Sequence, residues 1–149
     1  MARPGKGGIT VAPGECARIV ALDLLLGNED RHRDNLLLAR LDTSGIRIVA
    51  IDHEQAWAGR SGAILTDQLP DLDKYPEDFS EHVDVAMHLT TAAADVSREP
   101  SDRWRAIAAD VAQFVPGTDA IGLAKGLEHR ARLLPELAAA FIRGHKVRV

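Results

Sequence analysis

Residues 25–57, LLGNEDRHRDNLLLARLDTSGIRIVAIDHEQAW, restrict the fold more than any other part of the chain. LLLARL and IRIVAI are apolar runs rich in strand-forming residues. The four residues between them, DTSG, end on the glycine that a hairpin turn favours. Pairing Leu41 with Ile46 across that turn brings Leu36 opposite Ile51 and sets Asn35 beside Asp52. The hairpin would therefore gather two polar clusters at its open end, EDRHRDN before it and DHE after it.

The surroundings read as helix. GECARIVALDLLLGN is apolar almost all round, with Ile19, Leu22 and Leu26 on one side and Val20, Leu24 and Leu25 on the other, so a buried helix is expected. Glu15 falls in its first turn, and Gly27 with Asn28 offers a C-terminal stop. Residues 1–13 are rich in Gly and Pro and read as an irregular lead-in, and residues 58–80 read as a long loop. Helical spacing returns over 81–95 and 101–115, with Ser101 placed to cap the second of these. A short helix and a longer one follow, separated or kinked at Pro135. Trp104, Phe114 and Phe141 fit packing between these helices, Trp57 fits packing under the loop, and His82, His88, His129 and His145 fall on polar stretches expected to be solvated. The expected fold class is mainly α with a small β-hairpin, an α+β arrangement in which residues 14–149 form one unit. That unit comprises the polar motif and hairpin (25–57), the loop (58–80) and a helical bundle (81–149).

Composition removes several alternatives. A net charge of −4 gives no electrostatic reason to expect nucleic acid as a partner. No apolar run approaches the length of a membrane span, and the two basic residues near Met1 have no apolar block behind them, so neither a span nor a signal peptide is expected. The one cysteine, Cys16, cannot close an internal disulfide, which fits a reducing, cytoplasmic setting.

The polar residues suit phosphoryl transfer. That reaction asks a protein for a carboxylate to orient the attacking hydroxyl and for hard oxygen ligands that hold Mg²⁺ against the phosphates. Kinases place an Asp, then a metal-binding Asn five positions later, then a metal-binding Asp after a hairpin. Asp30 and Asn35 have that spacing, and Asp52 follows the hairpin.

GNEDRHRDN followed by IVAIDHE resembles the catalytic loop and metal motif of the HipA-like and phosphatidylinositol 3-/4-kinase-like branch of the kinase superfamily, where D-R-H-x-x-N replaces the H-R-D order. The helical remainder is similar to a HipA-type C-terminal lobe. The resemblance implies Asp30 as catalytic base, His32 as a catalytic-loop residue supporting the phosphates or Asp52, and Asn35 and Asp52 as Mg²⁺ ligands that thereby hold ATP. It also implies a hydroxyl acceptor on a protein Ser or Thr. Two features depart from the family. Glu54 stands where the family often has the glycine of D-x-G, and only 29 residues precede Asp30, with Lys6 in GKGG in no strand pattern. The motif thus implies a catalytic C-lobe whose N-lobe is a separate polypeptide, or a chain that pairs with itself.

Three other readings compete. The charged residues Glu29, Asp30, Arg31, Arg33 and Asp34 could form a solvated turn after a helix. His32, Asp34, Asp52, His53 and Glu54 could build a transition-metal hydrolase site, which leaves Asn35 and the hairpin spacing unexplained. The chain could also be a non-catalytic kinase-like remnant that binds a partner.

Overall fold

The computed structural model describes residues 13–28, 31–40, 46–51 and 83–146. Among the described residues there are four helices and a two-stranded antiparallel sheet: α1 (Pro13–Leu26), β1 (Leu36–Arg40), β2 (Ile46–Ala50), α2 (Val83–Ser97), α3 (Ser101–Phe114) and α4 (Ala120–Lys146). This is the mainly helical, hairpin-bearing architecture expected.

α1 begins at Pro13, one residue before the expected start, because proline's fixed φ and missing N–H suit a first helical position. It buries Cys16, Ala17, Ile19, Val20, Ala21, Asp23 and Leu24, while Arg18 and Leu22 face outward. Gly27 adopts φ 63°, and the N–H of Asn28 donates to the carbonyl of Asp23 at 3.0 Å. This left-handed turn with a six-to-one bond ends the helix, as Gly27 and Asn28 lead one to expect.

The strand register differs from the sequence expectation by one residue. Leu36 faces Ala50, Leu38 faces Ile48 and Arg40 faces Ile46, so Leu41 falls outside the ladder. The physical reason lies in what each register buries. The observed pairing sets Leu36, Ile48 and Ala50 on one face, against the core, while Arg47 on the other face is exposed. A slip of one residue would exchange the faces of one strand and carry Arg47 toward the core.

Two further expectations give way. Ser101 is the first helical residue of α3 rather than its cap. Pro100 takes the cap position, and the Ser101 hydroxyl donates to Oε1 of Glu128 on α4 at 2.6 Å. The expected pair of C-terminal helices is one 27-residue helix, α4, which carries Pro135 within it. Its start is capped instead by Asp119, whose Oδ1 accepts the N–H of Gly122 at 3.0 Å.

The core has two parts along α4. The larger joins α1, the hairpin through Leu36 and Ile48, α2 through Val85, Leu89 and Ala93, and the C-terminal half of α4 through Leu134, Leu137, Ala138 and Phe141. The smaller joins Trp104 and Ala108 of α3 to Leu123, Ala124, Leu127 and Ala131 of α4. Full burial of each large apolar side chain contributes about 1.5–3 kcal/mol, so the larger cluster dominates and the hairpin is anchored to it. Trp104 and Phe141 pack as expected. Phe114 does not: it is 82% exposed at the end of α3. His88 and His129 are exposed, as their polar surroundings suggested, and Trp57, His82 and His145 lie outside the residues whose side chains are described. No described helix is long and apolar enough to cross a membrane.

Candidate functional site

Between α1 and β1 the chain passes through Arg31 and His32 into a single 3₁₀ turn, Arg33–Asn35, and then directly into the strand. The Asn35 N–H donates to the His32 carbonyl at 3.0 Å, closing that turn. His32 is half-buried, and its Nδ1 accepts the backbone N–H of Asp34 at 3.2 Å. An accepting Nδ1 places the proton of the neutral ring on Nε2. Asp34 is exposed, whereas Asn35 is buried to 5% exposure at the foot of β1.

Asn35 meets Ile51 rather than the expected Asp52: the Ile51 N–H donates to the Asn35 carbonyl at 2.9 Å, extending the observed register by one pair. Asp30 and Asp52, the proposed base and metal ligand, lie outside the described residues, as do His53 and Glu54. The described site therefore consists of His32, Asn35 and the groups that fix the backbone around them.

Those groups form a sealed polar network that sequence reasoning missed. Arg31 is wholly buried. Its Nε and Nη2 donate to the two carboxylate oxygens of Asp23 at 2.9 and 2.8 Å, a two-pronged ion pair with both side chains at 0% exposure. Its Nη1 donates to the carbonyls of Asn35 at 3.0 Å and Ile51 at 2.9 Å. Asn28 Nδ2 adds a third donor to Asp23 at 2.9 Å. Arg130, also wholly buried, donates through Nε to the Leu24 carbonyl at 2.8 Å, which sets its cation at the negative C-terminal end of α1. Within the charged run Arg31 is not solvated, since it holds the open end of the hairpin to α1, whereas Asp34 is exposed.

One signal could have exposed this network. Asp23 stands alone among apolar residues in a helix with little polar surface, and a buried carboxylate must find a cation and hydrogen bonds or pay heavily for its desolvation. Arg31, eight residues on, is a cation within reach once Gly27 turns the chain back.

Among the described residues no group of three or more His, Cys, Asp or Glu side chains gathers to hold a metal ion. The donor set proposed for Mg²⁺ is nonetheless chemically suitable. Asn35 and Asp52 carry a carboxamide and a carboxylate oxygen, the hard donors that ion takes.

Residues 14–86, just under half of the chain, match the family model described as phosphatidylinositol 3- and 4-kinase. The matched segment runs from α1 through the polar motif and the hairpin to the start of α2. No curated protein matches the chain, and no solved structure does. The family match supports a place in the phosphatidylinositol 3-/4-kinase-like superfamily and a phosphotransfer function in general terms.

Proposed function

We propose that the chain is a HipA-like catalytic C-lobe spanning residues 14–149, which transfers a phosphoryl group from Mg-ATP to a hydroxyl, with a protein Ser or Thr as acceptor. The observation that carries the proposal is the family match over 14–86, the segment containing all four assigned residues. In this reading the Asp30 carboxylate orients the acceptor hydroxyl and takes its proton as the acceptor oxygen bonds to phosphorus and the bond to the departing diphosphate breaks. Asn35 and Asp52 would hold the metal-bound nucleotide through their side-chain oxygens. His32, with its proton on Nε2, would offer a donor to the phosphates or to Asp52. Bound Mg-ATP supplies the transferable group and neutralises its charge. An N-lobe would complete the nucleotide site, in a cytoplasmic setting.

The first test is calorimetric titration of Mg-ATP into the purified chain, with Asp52→Asn alongside. Mg²⁺-dependent binding that disappears in the variant is the expected result, and Asp30→Ala should keep binding while losing transfer. Equal loss of binding in Asp30→Ala and Asp52→Ala would refute the separate roles. Offering a Ser/Thr peptide and phosphatidylinositol vesicles in parallel decides the acceptor, and transfer to the lipid alone would replace the protein assignment.

A further inference from the structure

We infer that Arg31 is the positioning residue of this site, a function distinct from its part in a buried ion pair. The inference rests on the phosphotransfer reading above. Along the sequence, each of the three residues assigned to metal and proton chemistry is next to Arg31, bonded to it through its own carbonyl, or next to a residue that is so bonded. Asp30 immediately precedes Arg31 in the chain. Asn35 gives its own carbonyl to Arg31 Nη1 at 3.0 Å. Asp52 follows Ile51, whose carbonyl receives the same nitrogen at 2.9 Å. One guanidinium therefore ties the catalytic loop, the start of β1 and the end of β2.

An ion pair alone would not need this arrangement. Asp23 occupies Nε and Nη2, and Nη1 is left to bridge the two strands. A planar guanidinium with donors in a rigid fork can satisfy a carboxylate on one side and two carbonyls on the other. Lysine keeps the charge but is a compact point donor on a flexible stem and cannot reproduce both sides at once. Asp23, backed by Asn28 at 2.9 Å, orients the fork from α1. The site is thereby referenced to the larger core rather than to the hairpin, which two strands alone would hold only marginally.

The test compares full-length wild type with Arg31→Lys and Asp23→Asn, each at a temperature where it is fully folded, by amide hydrogen exchange and by Mg-ATP titration. In Arg31→Lys the Ile51 amide, bonded to Asn35, should exchange about tenfold faster or more while α3 and α4 amides keep their wild-type rates. Mg-ATP affinity should fall by about 10- to 100-fold, the range typical of groups that orient metal ligands without touching the metal. Asp23→Asn, which keeps one acceptor oxygen to orient the fork and leaves both carbonyl bonds in place, should melt earlier yet move either readout by less than about threefold once folded. If Arg31→Lys does not fold, Asp23→Leu combined with Arg31→Met replaces it, since removing both charges leaves none buried alone. Wild-type exchange at Ile51 in the folded variant overturns the inference. So does an affinity loss of the same size in Arg31→Lys and Asp23→Asn, which would reduce Arg31 to a structural charge. A wild type that binds no Mg-ATP defeats the phosphotransfer reading and the positioning function with it, and the exchange data then decide separately whether Arg31 clamps the hairpin.

Discussion

Arg31 and Arg132 each meet one carboxylate, and they show how little the presence of an ion pair says by itself. Arg31 meets Asp23 with both side chains at 0% exposure, on a base of further hydrogen bonds to Asn28 and two carbonyls. Arg132 meets Glu128 one turn away on α4 with 69% of its own side chain in solvent. Arg105 with Asp102 and Arg98 with Asp95 are more exposed still. In water the attraction is weak and offsets little more than the entropy of holding two long side chains. In the interior the attraction is large, but so is the cost of stripping both charges of water. The buried pair therefore differs from the surface pairs in what its loss would leave behind: a charge in the interior rather than a charge in water.

That contrast can be broken deliberately. Arg31→Ala should cost about 3–5 kcal/mol of unfolding free energy, because the buried Asp23 carboxylate loses the guanidinium that faces it. Denaturant unfolding measures this, and a loss below about 1 kcal/mol would place the pair with the surface ones. Gly27→Ala comes next, at about 1–2 kcal/mol, since φ 63° is left-handed and penalises a Cβ. The space itself is open enough, with the Arg130 guanidinium 3.6 Å from where that carbon would sit, so the cost is in the backbone. Arg105→Ala should shift stability by no more than about 0.5 kcal/mol in either direction, and added salt should erase what little it does. The smallest effect concerns pH. The Ser101 hydroxyl, and after it the charges of Arg132 and Arg105, hold the Glu128 carboxyl below its ordinary value. A lowered folded-state value contributes stability at pH above the ordinary glutamate range and loses it as pH falls through the folded value. Thermal melts of Glu128→Gln against wild type should therefore differ slightly near neutrality and converge in acid. A gap that widens on acidification would reverse the sign.

The helices were legible from their spacing, and the hairpin from two apolar runs flanking a turn that ends in glycine. The register was not, because LLLARL and IRIVAI are apolar on both faces and so lack the alternation that usually fixes pairing. Arg47 was the available clue, being the one charged residue in the second strand. Ser101 read as a cap because serine favours that position, yet the cross-helix bond to Glu128 outweighed it. Pro135 read as a break, but one proline inside a helix packed along most of its length against α2, α3 and α1 is carried by tertiary contacts. At the candidate site, the expected chemistry rests on residue types and spacing, with Asp30 and Asp52 outside the described residues. Arg31 was hidden because an arginine flanked by charges resembles surface, and nothing local in EDRHRD points to a partner eight residues back on a helix.

The division of the core also sets an order in which the molecule can loosen. α3 contributes Trp104 and Ala108 as its buried residues, and its main packing is against α4. It can swing away as a cooperative unit of its own, uncovering Leu123, Ala124 and Leu127, while α1, the hairpin and the far half of α4 stay closed over Leu36 and Phe141. A partner or protease that catches the open form would meet α3 long before the hairpin came apart.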